Sequence, residues 1–204
     1  MSRLGAKVRQ IRIRCCMITK DTVERIFVSH VADDGKYAEK LRDLIGTVSK
    51  ATITLSRATE SQYPSLLQQL RECSIIVILI GPKTYSSRMV DREIELAIAP
   101  RANQPPAGML GIILPEHGDF SKPYYEPDSV PVRVHDRVLY NYAVLKKWTD
   151  EKDKIQAWLS DSMNRRLHLR STVSNSVVLG LHTQVWDESV DGPHEVLQAL
   201  EEQE

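Results

Sequence analysis

The run Ser86-Ser87-Arg88-Met89-Val90-Asp91-Arg92-Glu93-Ile94 holds the side chains best spaced for chemistry. Met89 and Glu93 stand four residues apart and so share one face of a helix. Val90 and Ile94 form the adjoining apolar stripe, which sets Glu93 beside a buried face near the helix start. A carboxylate in that place can hold a ligand in a crevice above a sheet. It can equally form a surface ion pair with Arg88, Arg92 or Lys83, and spacing alone favours that plainer reading. Phe27, Ser29 and His30 end the first strand and face the same crevice. Alternation gives Phe27 a core position by default and leaves Ser29 and His30 as the better pocket candidates. Asp33 and Asp34 can reach a ligand there or cap the helix that follows. Thr84 either lines the pocket or closes its turn. His117 sits in a long loop. His135 and Asp136 are read as strand neighbours that point apart. Trp148 and Trp158 read as core.

These side chains need elements to carry them. Ile75 to Ile80 is an uninterrupted apolar, β-branched run, the mark of a strand buried on both faces. It breaks at Gly81-Pro82, and open α/β sheets hold their ligands at such strand ends. The helix after it begins at Ser86 or Ser87 as cap and stops near Pro100. Upstream, Arg25 to His30 is a first strand. Tyr37, Leu41, Leu44, Ile45 and Val48 mark a helix. Ala51 to Leu55 is a second strand. A polar loop, Arg57 to Pro64, leads to a short helix with Leu66, Leu67, Leu70 and Cys73 inward. Downstream, Met109 to Leu114 is a fourth strand, Pro115 to Pro131 a long loop, and Val132 to Val138 a candidate fifth strand. Asp150 to Arg166 is a helix with Ile155, Trp158, Leu159 and Met163 inward. The alternation predicts an α/β fold with a parallel sheet covered on both faces.

Three regions follow: a basic arm over 1–23, a domain over 24–166, and an extension over 167–204. The arm carries Arg3, Lys7, Arg9, Arg12 and Arg14 with no acid before Asp21. In the extension, Ser176 to Leu181 suits a strand, and Val196, Leu197 and Leu200 a terminal helix. The 204 residues hold 27 basic and 27 acidic side chains, a balance that argues against a nucleic-acid binder acting through bulk charge. No apolar run is long enough to predict a membrane span. The three cysteines, Cys15, Cys16 and Cys73, form neither a disulfide framework nor a zinc spacing, so a reducing, cytoplasmic location and no metal are expected.

The block VILIGPKTYSSRMVDREI resembles the third-strand and third-helix motif of Toll/interleukin-1 receptor (TIR) domains. Those carry Ser-x-x-Trp-Cys-x-x-Glu, where this chain has Ser86, Met89, Val90 and Glu93. The first strand resembles the TIR opening, in which an aromatic residue and a serine precede Tyr or His. The more specific likeness is to the TIR-like proteins typified by ThsB of the bacterial Thoeris anti-phage system. Their Leu-Ile-Gly-x-x-Thr segment is matched by Leu79-Ile80-Gly81-Pro82-Lys83-Thr84. The resemblance spans about residues 24–166. Met89 departs from the usual Trp, which removes a stacking wall. Val90 departs from the usual Cys, although the Thoeris group also carries Val there.

The resemblance implies a flavodoxin-like fold with about five strands in the order 2-1-3-4-5. It also implies cleavage of NAD at the nicotinamide–ribose bond, with NAD as substrate and no separate cofactor. Glu93 matches the catalytic glutamate, which orients the ribose hydroxyls and steadies the oxocarbenium-like state. Phe27, Ser29, His30, Asp33, Thr84 and Met89 are the substrate-binding candidates. Implied partners are further copies of the chain and an effector reached through a cyclic ADP-ribose-type signal, without nucleic acid or membrane. The alternative is a non-enzymatic TIR interaction module. A phosphoacceptor receiver domain is excluded because Gly81 stands where its Asp is needed. A deoxyribosyltransferase-like enzyme would act on nucleosides. A dinucleotide-binding oxidoreductase lacks its G-x-G-x-x-G, and no P-loop is present.

Overall fold

The computed structural model describes residues 24–46, 51–56, 63–99 and 105–168, with the side chains of 63–66 and 168 left out. Val48, the basic arm, most of the loop from Arg57, the Leu66 side chain, Pro100, and the proposed strand and helix of the extension lie outside the described residues. The elements run β1 (Arg25–Ser29), α1 (Gly35–Gly46), β2 (Thr52–Leu55), α2 (Tyr63–Glu72), β3 (Ile75–Ile80), α3 (Arg88–Ile98), β4 (Gly108–Ile113), α4 (Val132–Leu139), β5 (Ala143–Lys147) and α5 (Lys152–His168). Short 3-10 turns sit at Ala32–Asp34, Thr84–Ser86 and Pro127–Ser129.

The strands form one five-stranded sheet in the order β2-β1-β3-β4-β5, and every pairing is parallel. This is the flavodoxin-like order that the resemblance implied. All five strands therefore point their carboxyl ends at one rim. β3 is central, and all six of its residues are buried. Its alternate side chains feed two cores. Ile76, Ile78 and Ile80 meet Phe27 and the inner faces of α2, α3 and α4. Ile75, Val77 and Leu79 meet Ile26, Val28 and the apolar stripes of α1 and α5. A β-branched strand with an oily surface on each side is stable only when helices cover both.

One expectation fails. Val132 to Val138 is helix α4, and the fifth strand is Ala143–Lys147. Val132 and Val134 alternate with polar residues and imitate a strand period. Pro131 stands at the N-cap position, and Val134 and Val138 are four apart on one helical face. The helix ends at Leu139, and Asn141, two residues on, has φ 57°. Asn141 N–H donates to Val138 O and Tyr142 N–H to Arg137 O, the paired bonds of a Schellman stop. His135 and Asp136 are consequently neighbours on a helix. His135 Nδ1 lies 3.2 Å from the Tyr125 hydroxyl.

α5 lies very close to the sheet. A Cβ on Gly108 would sit 2.7 Å from the Ser162 carbonyl oxygen, an atom that no rotamer change can move. Gly108→Ala should therefore cost about 2 kcal/mol by overpacking and lower the urea midpoint without altering the slope. Among the described residues, no helix is long and apolar enough to cross a membrane.

Candidate active site

Two parallel strands in register bring their last residues side by side. Val28 pairs with Leu55. Ser56 N–H then extends the ladder by donating to Val28 O at 2.9 Å. Ser29 and Ser56 thus occupy adjacent positions at the carboxyl rim and present their side chains to the same face. That face is the one α3 covers.

α3 starts at the same rim. Its N-cap is Ser87, whose Oγ accepts the Val90 N–H at 3.1 Å. Val90, Ile94, Ala97 and Ile98 form the buried stripe. Glu93 lies beside that stripe and is 0% exposed. Ser29 Oγ donates to Glu93 Oε2 at 2.5 Å, and Ser56 Oγ donates to Oε1 at 2.5 Å. A carboxylate without water needs such donors, because an uncompensated buried charge is costly. The Glu93 side chain is enclosed rather than at the surface, where spacing along the chain would set it.

The remaining candidates separate into three groups. Phe27 lies two residues before Ser29 on the same face, fully buried among Ile76, Ile78, Val90 and Ile94. Its place is the core. His30 is buried next to Ser29, and its Nδ1–H donates to the Val31 carbonyl at 2.8 Å. The carbonyl can only accept, which fixes the proton on Nδ1 in the neutral ring. Met89 is half-buried and packs on the rim of the α3 core. Asp33 is exposed and pairs with Lys83 at 2.9 Å.

Thr84 is locked into the turn after β3. Its hydroxyl accepts Gly81 N–H at 2.9 Å and lies 3.2 Å from Leu79 O. It also meets Asp34 Oδ2 at 3.3 Å. Asp34 occupies the space a side chain at position 81 would need, so only glycine lets this carboxyl reach the turn. Burial pushes the Asp34 pKa up to about 6, against a lowering contribution from the Thr84 hydroxyl. The raised value gives a sign for stability. Between the unfolded value of 3.8 and about 6 the folded form holds a proton that the unfolded form has released. Stability from this group is then greatest at low pH and falls as pH rises through that window. Asp34→Asn should stabilise the protein at pH 7 by about 1 kcal/mol, a figure discounted for solvent screening, and the gain should vanish below pH 4. Paired urea titrations at the two pH values check this.

His117 is buried for structural reasons. Its Nε2 lies 2.9 Å from Ser129 O, and its Nδ1 accepts the Asp119 N–H. Asp119 in turn accepts from Ser129 Oγ and Glu126 N–H and pairs with Lys122. The long loop is tied together from within by these bonds. Trp148 and Trp158 are half-buried on the α1–α5 side of the sheet.

Residues 27–118 match the family model of the Thoeris protein ThsB, TIR-like domain. This segment is a ThsB-type TIR-like domain. The match begins at Phe27 and takes in Ser29, Ser56 and Glu93 together, so the whole serine–carboxylate cluster falls within it. The matched family is that of a Thoeris protein, and the likeness suggests a defence role for this domain with a functional link to other defence components. α4, β5 and α5 lie beyond the matched segment and complete the same sheet. No curated protein matches the chain.

Ser56 is the residue that sequence reasoning missed. The signal was present: aligning the ends of the first two strands sets Leu55-Ser56 against Val28-Ser29.

Proposed function

We propose that the TIR-like domain cleaves NAD at the nicotinamide–ribose bond and releases a cyclic ADP-ribose-type signal that activates a separate effector. The observation that carries this reading is the fully buried Glu93 carboxylate, bonded to two serine hydroxyls at the strand-end rim. Ser29 and Ser56 meet it as alcohols, and a ribose diol offers the same two donors at neighbouring carbons. With the diol held, the C1′–N bond breaks heterolytically and its electron pair leaves with neutral nicotinamide. Positive charge grows on the ribose, where the carboxylate stabilises it without taking a proton. C1′ is then captured by a nucleophile of the ADP portion, which gives up its proton to solvent and yields a cyclic ADP-ribose, or by water, giving ADP-ribose and a proton. Self-association of the domain and action in the cytoplasm belong to the same proposal.

The second reading, a non-enzymatic interaction module, draws on the complete enclosure of the same carboxylate. One experiment decides between them. The full chain is incubated with NAD, alone and with extract from phage-infected cells, and the products are resolved by mass spectrometry. Nicotinamide with a product lighter than ADP-ribose by one water supports the proposal. Intact NAD under both conditions would leave the interaction module.

A further inference from the structure

We propose that Ser56 is a latch on Glu93: its hydroxyl occupies the place of a substrate hydroxyl, and it must swing away before a ribose can be held. The inference rests on the NAD-cleaving reading and names the contact that keeps that site shut.

Glu93 is 0% exposed, and both its oxygens are engaged by serines. A ligand cannot reach a carboxylate in that state, so at least one serine must give way. The two serines are anchored differently. Ser29 closes β1, which is hydrogen-bonded on one side to β2 and on the other to β3. Its neighbours Val28 and His30 are buried. Its side chain is 0% exposed and has no open space to turn into, whereas Ser56 is 6% exposed. Ser56 lies just past β2, the edge strand, whose four residues are half-buried or exposed. Its own backbone is held by the bond from its N–H to Val28 O, and a turn about χ1 withdraws the hydroxyl without disturbing that bond.

The chemistry fits a stand-in. Serine and a ribose carbon each present one alcohol, of similar donor strength, to one carboxylate oxygen. Ser56 therefore competes with substrate, and removing it favours the open state by the worth of one hydrogen bond to a charged acceptor. That difference corresponds to about a tenfold change in ligand affinity.

The test uses the full chain in four forms: the parent, Ser56→Ala, Ser56→Thr and Ser56→Ala combined with Glu93→Gln. ADP-ribose binding is measured by calorimetry and nicotinamide release from NAD by chromatography, with no phage-derived trigger. Ser56→Ala should bind ADP-ribose about tenfold more tightly than the parent and release nicotinamide about tenfold faster. Ser56→Thr retains a hydroxyl and should fall well below Ser56→Ala in both. The double variant should lose the release. If Ser56→Ala folds, by thermal melt, yet binds and turns over no better than the parent, the latch is overturned while cleavage by the parent still supports the function. Weaker binding or slower release in Ser56→Ala, restored by Ser56→Thr, would make Ser56 a positioning residue and overturn the latch. If no form binds ADP-ribose or releases nicotinamide, both the latch and the NAD reading fall. A Ser56→Ala chain that does not fold, beside a folded Ser56→Thr chain, would assign the serine to stability and also overturn the latch.

Discussion

Glu93→Gln is expected to lower nicotinamide release from NAD by about a thousandfold under any condition in which the parent turns over. Glutamine has nearly the shape of glutamate. Its carbonyl oxygen can accept from one serine, and its amide can donate to the other after that hydroxyl rotates. The contacts with Ser29 and Ser56 thus survive in altered polarity. What disappears is the negative charge beneath the ribose as the oxocarbenium-like state forms. Because the side chain is wholly buried, that charge acts without water to screen it. Melting temperature should shift by only a few degrees, since no cavity opens and both serine contacts remain. Initial rates by chromatography, taken beside a thermal melt, read both effects. Retained turnover in a folded Glu93→Gln chain would dispose of the mechanism.

Phe27→Ala is expected to cost about 3–5 kcal/mol of stability and to lower the melting temperature by roughly 10 °C or more. The ring is fully buried between the sheet and α3, against Ile76, Ile78, Val90 and Ile94. The void left there would sit under the stripe that aims Glu93, so activity should fall with stability. Phe27→Leu separates packing from contact with substrate. It fills most of the volume, should cost about 1 kcal/mol, and should keep nicotinamide release near the parent rate. A large loss of release in a stable Phe27→Leu chain would show that the ring touches the ligand.

The parts legible in the sequence are those where one physical signal dominates. Ile75 to Ile80 has no polar residue, so only a strand covered on both faces accommodates it, and β3 is that strand. Ser87 ahead of Val90, Ile94 and Ala97 marks both the start and the buried side of α3. The miss at α4 has a definite cause. Alternation in Val132-Arg133-Val134 imitates a strand, while the actual edge strand ends in Lys146 and Lys147. Exposed edges carry lysine to discourage further pairing, which hides the apolar run that usually betrays a strand. Asn141, in the left-handed region at the helix stop, was the available correction. At the site, sequence spacing favoured an ion pair for Glu93 because it sees only neighbours along the chain. The serines that hold it come 64 and 37 residues earlier, and strand register alone brings them there.

A sheet with every strand running the same way divides the molecule into a reactive end and a structural end. At the structural end, Arg166 reaches the carbonyls of Pro105 and Pro106, and Tyr142 clasps that of Ala107. Those clasps secure the far side without involving Ser29, Ser56 or Glu93. Relatives built on this plan are therefore free to diversify their far-side connections, or to accept fusions there, while the chemistry at the opposite pole stays as it is.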